Sequence, residues 1–238
     1  MDSSGIEKVQ AFAAAQFRAK AKGKEKPPGE RPVVTLSRQA GSGGVTVAEA
    51  LASYLTSKSP KGAVPWTVFD KKLVEKVLEE HGLPQEVAQF MPEEHAPSAF
   101  GLDDAVEEIL GLHPSRWRLV NNTTRTLLSL AQMGSCILVG RGGNVITAHM
   151  PGAFHVRLVG TPEKRIEYVR QNLGLTAKSA KAFVEKEDAG RARYMKKYFK
   201  KDVDDPTLYH LVVNTDCVGY DEAARIVGDT VLARAKQG

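Results

Sequence analysis

The chain alternates short apolar runs with stretches in which apolar residues recur every three or four positions, the signature of strands and helices taken in turn. Val33, Val34 and Leu36 read as the end of a buried strand, and Val47, Leu51, Tyr54 and Leu55 recur at helical spacing behind it. A second strand is predicted over 64–69, closed by Asp70. Three more follow at 136–139, 154–159 and 211–214, the first two running into Gly140-Arg141-Gly142-Gly143 and Gly160-Thr161-Pro162. Helical patterns cover 72–81, 102–110, 121–133 and 163–171, then a basic stretch over 177–201 and a closing helix over 221–235. Pro162 stands where a helix would begin. Strands alternating with helices predict an α/β fold, a parallel sheet with helices on both faces. Ligands of such sheets bind at the carboxyl ends of the strands, which directs attention to Arg38 through Gly44, Asp70, Arg141 and Asn214.

Between the first strand and its helix lies Ser37 to Thr46, SRQAGSGGVT. A strand that turns through glycines into a helix presents free N–H groups to one point, at the positive end of the helix dipole, and so forms a phosphate cradle. The full signature G-x-x-x-x-G-K-[ST] ends in a lysine that reaches the β- and γ-phosphates and a hydroxyl that meets magnesium. Here Arg38 stands at the first glycine, Gly43 at the second, and Gly44 where the lysine should be. Val45 follows, and Thr46 supplies the hydroxyl. The same glycines would also suit a tight strand-to-helix turn that binds nothing.

Composition narrows the classes. With 238 residues, 42% of them hydrophobic, the chain can bury a sizeable core as one domain with an extension. A net charge of +5 and a pI near 9.1 suit anionic partners, from nucleotides to nucleic acids and acidic membranes. Part of that excess is Lys20, Lys22, Lys24 and Lys26, ahead of Pro27-Pro28-Gly29, and reads as a solvated tail. Residues 1–31 are therefore expected to form a helical, basic extension and linker, with a helix over 6–21, and residues 32–238 the domain. Cys136 and Cys217 are isolated, which argues against disulfides or zinc, and both are expected to be small buried hydrophobes. His149, His155 and His210 lie in or near predicted strands and are expected to pack; with no G-x-S-x-G elbow, nothing supports a hydrolase triad. The apolar patch over 11–17 is short and interrupted by Gln16, so neither a signal peptide nor a membrane span is expected, and the expected compartment is the cytoplasm.

From about Arg31 to Ala235 the order of these pieces resembles the cytidylate kinase-like family of P-loop nucleoside monophosphate kinases. The matching segments are SRQAGSGG, VFDKKLVEKV, ILVGRGGNVI and VGTPEKRIEYV after the first four strands, then EDAGRARYMKKYF and LVVNTD. The resemblance implies a P-loop NTPase fold of three layers, α/β/α, around a central five-stranded parallel sheet. It places a helical acceptor-binding insertion at about 71–134 and a basic lid at about 172–203. It implies transfer of the γ-phosphoryl group of ATP, with Mg2+, to a nucleoside monophosphate, CMP or dCMP being the leading acceptor.

On the donor side the resemblance assigns Gly41, Ser42, Gly43, Gly44, Val45 and Thr46 to the phosphates, with the Thr46 hydroxyl on magnesium. On the acceptor side it assigns Asp70, Lys71, Lys76 and Arg141, the last matching the arginine of a Gly-Arg-Asp motif whose aspartate is here Gly142. The lid would carry Lys186, Asp188, Arg191 and Arg193, with Asp188 and Arg191 reaching substrate. Arg38, Asp70, Arg141 and Arg191 form the expected catalytic set, and Arg38, Lys71 or a lid arginine would offset the missing lysine. Gly44 and Gly142 also motivate a second reading, a catalytically weak nucleotide-binding regulator on the same scaffold. Neither a membrane nor a nucleic acid is an expected partner.

Overall fold

A computed structural model describes residues 4–21, 31–70, 73 and 114–237 of the chain. The helices expected at 72–81 and 102–110, together with Lys71 and Lys76, lie outside them. Five strands form one sheet: β1 (Val33–Arg38), β2 (Thr67–Phe69), β3 (Cys136–Val139), β4 (Ala153–Val159) and β5 (Leu211–Asn214). Their order is β2-β3-β1-β4-β5 and every pairing is parallel. The helices are α1 (Ser4–Ala21), α2 (Gly44–Lys58), α3 (Pro114–Met133), the single turn α4 (Gly143–Ile146), α5 (Pro162–Leu173), α6 (Ala177–Phe199) and α7 (Tyr220–Gln237).

The strands are short and mainly apolar because most of the sheet is covered on both faces; Thr35, His155 and Arg157 are buried polar exceptions, and edge strand β5 leaves Val212 exposed. Central β1 pairs Val33 with Cys136 on one side and Ala153 on the other, and Leu36 with Val139 and Val156. Strand alternation then sorts the side chains. Val34, Leu36, Ile137, Val139, Val156 and Leu158 share a core with Leu51 and Leu55 of α2 and Val227 and Val231 of α7. Val33, Cys136, Leu138 and Ala153 share the opposite core with Val9 and Phe12 of α1 and Leu127 and Leu130 of α3. A third cluster joins Ala40, in the loop after β1, to Val169 of α5 and Ala180 and Val184 of α6. The basic helix is thus packed onto the glycine-rich loop.

Helix α1, expected as part of an extension, contributes to the core. Its Phe12 ring meets Phe69 edge-on at 5.2 Å, and Gln16 Nε2 donates to the Gly134 carbonyl at 2.9 Å. Helix α3 begins earlier than its periodicity predicts, at Pro114, whose fixed φ suits a first helical turn; the exposed Asn121-Asn122 pair had hidden its continuity. Cys136 is buried as expected but Cys217 is exposed, because β5 ends at Asn214 and the chain has already turned outward. No described helix is long and apolar enough to cross a membrane.

Topology opens the site. The loop after β1 feeds α2 on one face, whereas the loop after neighbouring β3 feeds α4 on the other, where Gly143 lies against Thr35 and Ile146 packs on the α1–α3 core. Adjacent strands that send their connections to opposite faces leave a crevice between their carboxyl ends.

Helices α2 and α7 approach closely at Gly228, where a Cβ would come 2.6 Å from the Tyr54 ring. Gly228→Leu is expected to cost about 1–3 kcal/mol by forcing the helices apart, read as a lower urea midpoint at unchanged slope; an unchanged midpoint would mean that this contact has slack.

Candidate active site

At the carboxyl ends of β1 and β3, beneath α6, a cavity of about 250 Å³ is lined among others by Arg38, Arg141, Asn144, Glu187, Arg191 and Tyr194. Three of the four residues expected to be catalytic therefore share one wall system. Arg38 is the last residue of β1. Its stem crosses the start of α2, since a Cβ at Gly44 would come 2.8 Å from Arg38 Cγ, and its Nη1 lies where a Cβ at Gly140 would sit. Burial, then the field of Arg191, lowers the Arg38 pKa to about 10, with Asp70 and Glu187 opposing and Arg141 adding a little. The fourth expected residue, Asp70, is close enough to act on this guanidinium. Its Oδ1 also accepts the Leu73 amide at 2.9 Å, an N-cap arrangement.

Arg141 sits on a left-handed stretch, Gly140 φ 86°, Arg141 φ 57° and Gly142 φ 72°. A non-glycine residue held there costs about 1–3 kcal/mol and persists only where its surroundings impose it. Its guanidinium lies 5.7 Å from the centroid of the Tyr194 ring. The Phe199 ring fills the space a Cβ at Gly142 would need, so the aspartate of the Gly-Arg-Asp motif has no room here and an aromatic edge stands in its place.

The residues of α6 are tied to the loop and to α5. Asp188, expected at the substrate, spends both oxygens on the protein: Oδ1 accepts the Ala40 amide at 2.7 Å and Arg191 Nη1 at 3.0 Å, and Oδ2 accepts Arg165 Nη1 at 2.6 Å. Arg165 is 7% exposed and also donates to the carbonyls of Ala40 and Gly160. Arg165 could equally have paired with Glu163 or Glu167 on the surface; instead it is the buried half of a clamp joining α5, α6 and the loop, while Glu167 pairs with Arg170. Arg191 Nη2 donates to Glu187 Oε2 at 3.0 Å, and Lys186 and Arg193 are exposed.

The loop itself needs its glycines. Gly41 (φ 82°) and Gly43 (φ 73°) are left-handed, and a Cβ at either would strike the Arg165 backbone or the Tyr220 ring respectively. Ser42 is buried, its hydroxyl donating to the Gln39 carbonyl at 2.9 Å. Helix α2 has no side-chain cap at Gly43, and the amides of Gly43, Gly44, Val45 and Thr46 meet no acceptor among the described residues. An uncapped helix start of this kind fits a phosphate. Thr46 is exposed and its hydroxyl lies 3.0 Å from that of Tyr168, whose ring meets Tyr220 edge-on. Neither Val45 nor Thr46 lines the arginine cavity. Among the described residues no group of three or more His, Cys, Asp or Glu could hold a metal.

Sequence reasoning missed Glu187, Tyr194, Asn144 and Arg157. The spacing 187, 191, 194 was a usable signal, since it places three polar side chains on one helix face. Arg157 had none: it sits inside apolar β4, yet its guanidinium bridges Ser37 Oγ at 2.9 Å and Asp204 Oδ1 at 2.5 Å. A larger cavity of about 570 Å³ lies behind Asn144, which lines both. There His155 Nδ1 lies 2.9 Å from Thr35 Oγ1, and its backbone amide donates to His210 Nδ1 at 2.9 Å. Burial lowers the His155 pKa to about 4, so this histidine is a neutral packing group; His149 is exposed at the rim.

The model of the cytidylate kinase-like family matches residues 33–217. The chain belongs to the cytidylate kinase-like family. No curated protein matches it in sequence. Among solved structures, an uncharacterized protein from Eubacterium ventriosum ATCC 27560 is similar with a TM-score of 0.63 at 16% identity, over 85% of this chain and 99% of that one. A shikimate kinase from Bacteroides thetaiotaomicron gives a TM-score of 0.48 at 11% identity, over 84% and 98%. A gluconokinase from Sinorhizobium meliloti 1021 gives 0.44 at 13%, over 87% and 95%. Membership of the cytidylate kinase-like family supports nucleotide-dependent phosphoryl transfer by this parallel α/β chain.

In this cytidylate kinase-like protein Asp188→Ala removes the acceptor of the Ala40 amide and the partner of buried Arg165 together. The expected cost is roughly 2 kcal/mol, read by denaturant melts, with faster hydrogen exchange at the Ala40 amide. Exchange as slow as in the wild type would show that the clamp does not order the loop.

Proposed function

We propose that this chain transfers the γ-phosphoryl group of ATP to a nucleoside monophosphate, with CMP or dCMP as the leading acceptor. The observation that carries the reading is the convergence of Arg38, Arg141 and Arg191 on one cavity at the switch point of the sheet. Guanidinium groups brought together in a partly buried space repel one another, and the arrangement makes chemical sense when polyanions enter between them. Phosphoryl transfer asks little covalent chemistry of a protein and much positioning and charge neutralisation along a phosphate line.

In this scheme the uncapped amides from Gly43 to Thr46, with Gly41 and Ser42 shaping the turn, hold the donor phosphates. Arg141 grips the acceptor phosphate, where a planar fork makes two parallel bonds. Asp70 serves the acceptor side, the role also proposed for Lys71 and Lys76 outside the described residues, and Arg191 covers the transferring group from α6. An acceptor phosphate oxygen bonds to the γ-phosphorus as the bond from that phosphorus to the bridging oxygen breaks, and ADP leaves with that oxygen. Magnesium would supply charge neutralisation for the phosphates when bound, and Thr46 is the loop hydroxyl that would hold it. The α5–α6 pair, tied to the loop through Asp188, excludes water from the transferring group.

A second reading, a nucleotide-binding regulator with little turnover, is favoured by Gly44 and Gly142 and predicts ATP binding without acceptor-dependent ADP. A coupled assay of ADP release across CMP, dCMP, UMP, AMP and GMP separates the two. At least one acceptor is expected to raise turnover well above the ATP-only background, and a flat panel hands the site to the regulatory reading. With the active acceptor, Arg141→Ala is expected to raise its KM about 10- to 100-fold while leaving ATP affinity nearly intact. Equal losses for both nucleotides would contradict the acceptor role.

A further inference from the structure

We infer that Arg38 reaches across the loop to supply the phosphate-gripping cation that P-loop kinases take from a lysine after the second glycine. The inference rests on the kinase reading above and deepens it by naming the group that replaces the lysine.

The first observation is steric. The absent lysine would grow from Gly44, and the space its Cβ needs is held by the Arg38 stem, with Cγ 2.8 Å from the ideal Cβ position. That is the root of the side chain rather than its free end, so it cannot swing aside cheaply. Gly44 is therefore the consequence of an arginine at position 38: one loop has room for one cationic chain at this point, and here it enters from β1 instead of α2.

The second observation concerns what the guanidinium does. It lines the cavity shared with Arg141 and Arg191, and among the described residues no hydrogen bond or ion pair holds it. A structural arginine in so enclosed a place would spend its five donors on carboxylates or carbonyls, as Arg165 and Arg157 do. Asp70 and Glu187 stand near enough to favour its charge without binding it, and Arg191 and Arg141 oppose it. Arg191 is already held by Glu187 and Asp188. Arg38 is the arginine of the cavity whose donors are all left to an incoming anion, and its planar fork can take two oxygens of neighbouring phosphates where an ammonium takes them as a point charge.

The test is a swap read by Mg·ATP binding in calorimetry, with ADP release measured in parallel. Arg38→Ala is expected to weaken Mg·ATP about 10- to 100-fold. Gly44→Lys is expected to weaken it as well and to lower the melting temperature, because two chains then compete for one space. Arg38→Gly with Gly44→Lys rebuilds the lysine arrangement and is expected to recover affinity to within about threefold of the wild type, far from the sum of the two single losses. Arg38→Lys, which keeps the charge but not the fork, serves should Arg38→Ala fail to fold, and is expected to bind more weakly than the wild type.

Wild-type affinity in Arg38→Ala or Arg38→Lys, or a double variant no better than the single ones, overturns the inference. When acceptor-dependent ADP release survives that outcome, the kinase reading stands without it. Affinity that follows the swap with no acceptor ever raising turnover keeps the inference and removes the kinase reading. A wild-type chain that binds no Mg·ATP overturns both.

Discussion

One carboxylate ties the site to the fold. Asp188 accepts a backbone amide from the glycine-rich loop, a guanidinium from α5 and a guanidinium from its own helix, at distances of 2.6 to 3.0 Å. Each bond is charge-assisted, and such bonds are about twice as strong as neutral ones. Without this acceptor Arg165 would be a buried cation facing only carbonyls, and the Ala40 amide would lose its bond to α6. The apolar contacts of Ala40 with Val169, Ala180 and Val184 run in parallel with the polar clamp, so the loop and the α5–α6 pair share both a hydrophobic and an ionic seam. The position of α6 is consequently coupled to the shape of the loop.

The glycines express the same constraint from the backbone side. Gly41 and Gly43 are left-handed and each is touched by another element where a side chain would begin, the Arg165 backbone and the Tyr220 ring. Gly142 is similar, its missing Cβ replaced by the Phe199 ring. Substitution at any of them is opposed twice, by φ and by contact. The departures from the family motif at Gly44 and Gly142 belong in this account. Both positions are crowded by a neighbouring side chain, Arg38 in one case and Phe199 in the other.

Most of the sheet was legible in the sequence. The runs 136–139 and 211–214 coincide with β3 and β5, and β4 differs from its expectation by Ala153 alone. Strands buried on both faces are mainly apolar, with polar exceptions such as Arg157 that find partners, and that compositional bias survives in one dimension. Pro162 marked the start of α5 for the same local reason. Cys217 and the beginning of α3 were misjudged because each depended on where a neighbouring element stopped. Of the site, Arg38, Arg141 and Arg191 were legible as cations following strands or lining a basic helix.

Local chemistry along the chain determined the strands, the glycine-rich turn and the residue types available at the sheet's carboxyl edge, because backbone preference and apolar patterning act over a few residues. Tertiary structure alone decided the division of labour among the charged groups. Asp188 and Arg165 face each other across 23 positions and Asp188 meets Ala40 across 148, so no local pattern could say that they would satisfy one another while Arg38 would pair with none of the described residues. Which cation is spent on the protein and which is left for an anion is a property of distances between elements, and those exist only once the helices have packed.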